Sequence, residues 1–110
     1  MYEIVKHIDF CFGHRLLDYD GKCNQPHGHN GRVEIRLASN TLNDAGMVAD
    51  FRDVRHTMQA WISKHLDHRM ILRHDDPLID AIVELGQHAY VIEENPTTEN
   101  LARLLFEQTH

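Results

Sequence analysis

The sequence has few cysteines, few cationic residues and no long apolar stretch. Its two cysteines, Cys11 and Cys23, are too few for a disulfide scaffold, so reduced thiols in the cytoplasm are the simpler interpretation. Eleven Lys and Arg against seventeen Asp and Glu give a formal net charge of −6, which disfavours a nucleic-acid surface. No run could cross a bilayer, and the N-terminus lacks a signal-peptide pattern. We expect a cytoplasmic protein that binds neither nucleic acid nor membrane.

Histidine, in contrast, is abundant, and its placement is informative. Ten of the 110 residues are histidines. His27 and His29 lie two positions apart in a segment that also contains Cys23. Because residues i and i+2 of an extended chain point to the same face, these two imidazoles could provide two of the three ligands of a facial metal site.

Alternating polarity predicts two strands that bring a third histidine to this pair. Over residues 2–14 the even-numbered positions are mostly apolar, and His14 ends that face. Residues 32–37 alternate as well, and their apolar parity extends back to His29 and His27. If the two strands pair as an antiparallel hairpin, the three histidines meet at one end of the sheet.

The rest of the chain predicts helices with recognisable ends. A helix over 51–66 has Asp50 as its N-cap, and a short helix covers 76–86. Residues 88–92 could form a short strand. A last helix starts within 95–99, capped by Asn95 or a threonine, and runs to the end of the chain at His110. The pattern is that of one α+β domain.

The three histidines suit a metal ion. Zinc accepts three imidazoles and keeps a fourth position open in catalytic sites, where it can polarise a substrate hydroxyl or carbonyl. His14, His27 and His29 would supply the three ligands. Two alternatives stay open: the His-Gly-His pair is a polar loop without metal, or Cys23 is the fourth ligand of a structural site.

Two other groups could transfer protons. Lys22 precedes Cys23, and its positive charge would favour the thiolate. Asp67 and His68 follow the long helix, and a carboxylate beside an imidazole fixes its tautomer and supports its protonated form. An inert thiol and an exposed pair at a helix end are the commoner fates of such residues.

Five motifs in order resemble the 6-pyruvoyltetrahydropterin synthase / 6-carboxytetrahydropterin synthase family. They are GHRL at 13–16, CNQPHGHN at 23–30, GMVADF at 46–51, LDHR at 66–69 and NPTTENLA at 95–102. The spacing from the cysteine to the two histidines is similar to that of the bacterial 6-carboxytetrahydropterin synthase branch, since the animal enzymes have a longer gap. That branch belongs to the queuosine (7-deazaguanine) pathway.

The resemblance implies a zinc-dependent lyase. It would convert 7,8-dihydroneopterin triphosphate to 6-carboxytetrahydropterin, acetaldehyde and triphosphate. By position, the resemblance implies zinc on His14, His27 and His29, proton abstraction by Cys23, and a second acid–base pair, Asp67 and His68, acting from across a subunit boundary or the far side of the pocket. The alternatives are a 6-pyruvoyltetrahydropterin synthase-type enzyme and a non-catalytic metal- or pterin-binding paralogue.

The fold implied is the tunnelling fold, an antiparallel sheet with two main helices on one face. It is assembled as a homo-oligomer, such as a hexamer, with pockets between subunits. The family's C-terminal hairpin and its pterin-anchoring glutamate are not found up to position 110, so we expect residues 1–110 to form a single, C-terminally incomplete domain. Arg15, Lys22 and Arg69 are candidates for steering the triphosphate, although surface solubility explains them almost as well.

Overall fold

The computed structural model describes residues 1–109 and combines a four-stranded sheet with three helices, which confirms the predicted α+β class. The elements in chain order are β1 (Tyr2–His14), a 3-10 turn (Lys22–Asn24), β2 (His27–Ser39), α1 (Phe51–His65), β3 (Arg69–Arg73), α2 (Leu78–Glu84), β4 (Ala89–Ile92) and α3 (Thr98–Gln108). No helix within residues 1–109 combines the length and the apolarity that crossing a membrane requires.

β1 and β2 form the long antiparallel hairpin that the alternation predicted. The register opposes Tyr2 to Ser39 at one end and His14 to His27 at the other. Because directly opposed residues share a face, the even positions of β1 and the odd positions of β2 form one surface. This surface carries Ile8, which is 5% exposed, and it is the side on which the helices pack.

The other edge of β1 takes up two short parallel strands. β3 pairs with the last residues of β1, and β4 pairs with β3, which gives the order β2-β1-β3-β4. β4 corresponds to the strand predicted over 88–92, whereas β3 was not predicted. Its adjacent Ile71 and Leu72 are both fully buried, so the segment lacks the alternation that identifies a half-exposed strand.

The caps of the two long helices are side-chain hydrogen bonds. The Asp50 carboxylate accepts from the backbone N–H of Arg52 at 2.8 Å, which confirms Asp50 as the N-cap of α1. The Thr97 hydroxyl accepts from the backbone N–H of Asn100 at 3.1 Å, so the threonine caps α3. The structure places the end of α3 at Gln108, and the predicted end at position 110 lies outside the described residues.

The core lies between the sheet and the two long helices. Its buried members come from three strands, β1, β2 and β3, and from the α1 and α3 segments. Both long helices therefore pack on the one apolar face of the hairpin. They are Ile8, Ile35, Met58, Ile62, Leu66, Ile71, Leu101 and Leu105.

A buried ion pair joins the segment after β1 to the start of α2. The Asp76 carboxylate is fully buried and accepts two hydrogen bonds from the Arg15 guanidinium, the one from Nε at 2.8 Å, and a third from the backbone N–H of Leu78 at 2.8 Å. The Arg15 hydrogen bonds hold the pKa of Asp76 below its ordinary value, against the opposing effect of burial. Arg15, a candidate for steering the triphosphate, is thus engaged within the fold.

We expect Asp76→Asn to lower the free energy of unfolding by about 2–4 kcal/mol, because it leaves the Arg15 charge half-buried without its partner. The folded-state pKa of Asp76 is depressed, so the carboxylate stabilises the fold above the unfolded pKa of about 3.9, and this contribution disappears as the pH falls through the folded value. Urea denaturation from pH 7 downward should show the two proteins converging in acid.

The matched control is Asp80→Asn, which changes an exposed carboxylate in the first turn of the same helix. It should alter the free energy of unfolding by no more than about 0.5 kcal/mol. Equal losses in the two variants would contradict the structural role of Asp76.

Candidate functional site

Three histidines meet at the loop end of the β1–β2 hairpin. His14 and His27 are directly opposed, and His29 lies two residues farther along the same face. The ring centroids are 4.5 Å apart for His14 and His27, 4.8 Å for His27 and His29, and 5.0 Å for His14 and His29. One nitrogen from each ring lies within 4.8 Å of the other two. The meeting that strand parity predicted is confirmed, and the cluster is compact enough to close around a single ion.

Backbone carbonyls orient two of the three rings. Nδ1 of His14 lies 2.7 Å from the Pro96 carbonyl oxygen, and Nδ1 of His27 lies 2.7 Å from the Gln25 carbonyl oxygen. A carbonyl oxygen only accepts, so in each neutral ring Nδ1 carries the proton and Nε2 keeps its lone pair. Metal-bound histidines typically show this arrangement, in which one nitrogen ligates and the other donates to a fixed acceptor.

The environment of His14 favours the neutral ring. Burial lowers its pKa, the hydrogen bond to Pro96 opposes this effect, and the neighbouring His27 and His29 lower the pKa further. Only a neutral imidazole can bind a metal ion through its lone pair. The lowered pKa of His14 therefore favours the form of this ring that can bind a cation. Three such donors fit a centre that keeps one position for a further ligand.

The turn before α3 positions His14 from 82 residues away in sequence. The Asn95 side chain accepts from the backbone N–H of Leu17 and donates to the Leu17 carbonyl, both at 2.9 Å. The Asn95 carbonyl in turn accepts from the Asn100 side chain at 2.9 Å. Asn95, which the sequence suggested only as a helix cap, instead joins the segment after β1 to the turn that presents the Pro96 carbonyl.

Cys23 lies in the 3-10 turn before β2, close in sequence to the histidines but outside their cluster. The residue is half-buried and its thiol is free. Its carbonyl accepts from the backbone N–H of Leu16 at 2.8 Å, which holds the turn against the segment after β1. Among the described residues, the group of possible ligand atoms contains the three imidazoles without this thiol. The structure therefore does not bring the Cys23 thiol into the group of candidate ligands.

Asp67 and His68 are held as a pair against β1. One Asp67 oxygen accepts from the backbone N–H of Cys11 at 3.0 Å, and the other lies 3.1 Å from Nδ1 of His68. The bond from Cys11 is the main reason why the pKa of Asp67 lies below its ordinary value, and the bond to His68 adds to it. The His68 ring is 78% exposed, so it is accessible to a proton donor or acceptor.

The two clusters belong to opposite faces of β1. His14 and Phe12 point towards the helices, while Cys11, which contacts Asp67, occupies the opposite parity. Within the described chain, the histidines and the Asp67–His68 pair form separate groups. The described chain therefore carries two separate groups of polar side chains.

A cavity of about 730 Å³ opens beside the histidines on the helix face. His14 and His29 are among its lining residues, together with apolar side chains of β2 and α3, such as Val33 and Leu101, and with charged residues of β2, such as Arg32. This volume lies in the range of small-molecule sites, so the polar and the apolar lining residues could together orient an organic ligand.

The fold is shared with solved structures. The crystal structure of an uncharacterized protein from Wolinella succinogenes matches with a TM-score of 0.84 and 28% sequence identity over 98% of this chain and 82% of that one. The structure of 6-pyruvoyl tetrahydropterin synthase from Caenorhabditis elegans matches with a TM-score of 0.68 and 24% identity over 97% and 75%, a likeness that shows the fold alone. The architecture is therefore that of the pterin-synthase fold.

Sequence comparison gives the family. A sequence model described as 6-pyruvoyl tetrahydropterin synthase matches residues 3–110. The 6-carboxy-5,6,7,8-tetrahydropterin synthase of Rickettsia typhi is 38% identical over 104 residues, 93% of this chain and 75% of that protein. The chain belongs to the 6-pyruvoyl tetrahydropterin synthase family, which confirms the resemblance carried by the five motifs. It is an enzyme of the lyase class, in a family whose members are metal-dependent.

We expect Asn95→Ala to weaken metal binding about tenfold, because the Pro96 carbonyl would no longer hold His14 in a fixed orientation. Competition against a chromogenic chelator measures the affinity, with His29→Ala as the reference for a site that has lost one ring. Asn43→Ala is the matched control, since that side chain also accepts backbone N–H groups but in the distant turn at 43–47. An Asn95→Ala variant that melts earlier but binds metal as tightly as the parent would contradict the positioning role.

Proposed function

We propose that this protein is a zinc-dependent 6-carboxytetrahydropterin synthase of the queuosine pathway. It would convert 7,8-dihydroneopterin triphosphate to 6-carboxytetrahydropterin, acetaldehyde and triphosphate. The observation that carries the proposal is the cluster of three imidazoles, in a chain whose curated relatives bear the name 6-carboxy-5,6,7,8-tetrahydropterin synthase.

The histidine cluster would hold the zinc ion through His14, His27 and His29. When bound, zinc supplies Lewis-acid polarisation of the hydroxyls of the substrate side chain and makes them easier to deprotonate. The Pro96 and Gln25 carbonyls hold the rings of His14 and His27 in place and leave Nε2 of each neutral ring with its lone pair. This preorganisation favours tight binding, because little side-chain freedom remains to be lost.

Cys23 would abstract a proton from the substrate side chain. Its turn is joined to the histidine-bearing strands at both ends, by the hydrogen bond between Leu16 and the Cys23 carbonyl and by the direct entry into β2 at His27. A thiol held in this way could stand next to a substrate whose hydroxyls lie over the imidazoles.

Asp67 and His68 would return a proton to the pterin from the opposite side. Asp67 lies 3.1 Å from Nδ1 of His68 and orients this exposed ring, which suits a group that transfers protons. Because this pair lies on the other face of β1 from the histidines, we infer that it serves the site of a neighbouring subunit. The working enzyme is then a homo-oligomer, such as a hexamer, and each site combines residues of two chains.

Replacing Cys23 separates the roles of the thiol and the metal. We expect Cys23→Ala to retain the parent's zinc content and to lose at least about a hundredfold in turnover, because proton abstraction is lost while the imidazoles remain. Incubation with dihydroneopterin triphosphate, acetaldehyde detection and mass analysis of the pterin supply the readout. Loss of zinc would instead make Cys23 a ligand, a 6-pyruvoyl product would select the other synthase, and absence of acetaldehyde from the parent would favour a binding paralogue.

Mixing two inactive variants tests whether the site is shared. Cys23→Ala and His68→Ala chains, unfolded and reassembled together in equal amounts, should regain about a quarter of the parent rate, because that share of sites receives both intact halves. Each variant reassembled alone is the control. No recovery in a mixture that has formed mixed oligomers, or a strictly monomeric parent by light scattering, would refute the shared site.

A further inference from the structure

Cys11 has no part in the proposed reaction, yet its position is specific. It lies on the outer face of β1, half-buried and with a free thiol. Its sulfur is 3.7 Å from Oδ1 of Asp67, the same oxygen that accepts from the Cys11 backbone N–H. An inert core thiol, the role that its place inside a strand suggested, would have apolar neighbours instead of a carboxylate.

The contact makes Cys11 the third member of a compact group of possible ligands. The Cys11 sulfur, an Asp67 oxygen and a ring nitrogen of His68 all lie within 4.8 Å of one another. A tetrahedral zinc ion with bonds of about 2.3 Å to sulfur and about 2.0–2.1 Å to nitrogen and oxygen separates its ligand atoms by about 3.3–3.6 Å. The Cys11 sulfur is 3.7 Å from Oδ1 of Asp67, and Nδ1 of His68 is 3.1 Å from Oδ2, so both other donors already lie against the carboxylate.

Reciprocal backbone hydrogen bonds hold the group together. The Cys11 N–H donates to Asp67, and the His68 N–H donates back to the Cys11 carbonyl at 2.7 Å. His68 adopts a left-handed backbone conformation with φ of +61°, an unfavourable state for a non-glycine residue that these contacts sustain. The three side chains are therefore brought together by the fold and not by chance proximity on the surface.

We propose that Cys11, Asp67 and His68 form a second site for a thiophilic divalent cation, distinct from the histidine cluster. A thiolate, a carboxylate and an imidazole are a donor set that zinc and cadmium accept. Cys11 and His68 line a hollow of about 590 Å³, which leaves room for water as a further ligand. Arg69 lines the same hollow, and its positive charge makes this site weaker than the histidine cluster.

A cation bound at this site would affect catalysis, an inference that rests on the proposed function. The cation would take up the Asp67 oxygens and the His68 nitrogen that the proposed reaction uses for proton transfer. Metal beyond the first equivalent should therefore inhibit the enzyme, while the first equivalent activates it.

Cadmium binding to the metal-free protein tests the site without any turnover. We expect a second equivalent to bind more weakly than the first and to bring the ultraviolet charge-transfer absorption of a cadmium thiolate. Cys11→Ser should abolish that absorption and weaken the second equivalent at least about tenfold, while Cys23→Ser, the matched control, retains both. His68→Gln, which keeps the thiol, should also weaken the second equivalent about tenfold.

Several results would overturn the proposal. These are a parent protein that binds a single equivalent, a Cys11→Ser variant that binds the second equivalent unchanged, and absorption that disappears in Cys23→Ser instead. Unchanged affinity in His68→Gln would reduce the site to a lone thiol. In each variant, an unchanged affinity for the first equivalent shows that the fold is intact. If Cys11→Ser is unstable, His68→Gln decides the question, because His68 is exposed and its replacement should leave the fold intact.

Inhibition is measured separately. For the parent and for Cys11→Ser, the rate of acetaldehyde release with excess zinc is divided by the rate of the same protein at one equivalent. This ratio should fall well below one for the parent but not for Cys11→Ser. If acetaldehyde is never released, the proposed reaction fails while the cadmium titration still decides the cation site. The two failures are thus distinguishable.

Discussion

The antiparallel register of β1 and β2 is the constraint on which the rest of the structure depends. It opposes His14 to His27 and brings His29 to the same face, so all three ligand candidates are consequences of one pairing. A slip by one residue would turn the histidines of one strand to the other side of the sheet. The register is fixed at a distance by packing, because Ile8 and Ile35 must remain on the face that α1 and α3 cover.

The same face connects the site to the helical layer. α3 packs on the sheet through Leu101 and Leu105, and the turn at its start carries both the Asn95 side chain and the Pro96 carbonyl. The docking of one helix therefore contributes to the core and sets the orientation of His14. Contacts that stabilise the fold therefore also hold the His14 ring in place.

The sequence predicted the parts of this molecule that depend on local periodicity. Alternation over 2–14 and 32–37 was sufficient for the hairpin and for the meeting of the histidines, and Asp50 marked the start of α1. β3 was not predicted, because its adjacent residues Ile71 and Leu72 are both buried and do not show the alternation of a half-exposed strand.

The long-range contacts were beyond the reach of local patterns. Nothing near His14 indicates that its acceptor is the Pro96 carbonyl, nothing near Arg15 indicates that its partner is Asp76, and Cys11 resembled an ordinary core thiol. The roles of the histidines, Cys23, Asp67 and His68 in catalysis remain predictions.

β2 is thirteen residues long and, within the described chain, pairs on one side only. Along its free edge the backbone amides and carbonyls form a continuous template for another strand, beside an apolar face that no helix fully covers. Such an edge makes solution behaviour dependent on concentration, since any chain that is not assembled offers the same template to every other chain. Pairing of this edge with a further strand would therefore also protect the protein against aggregation.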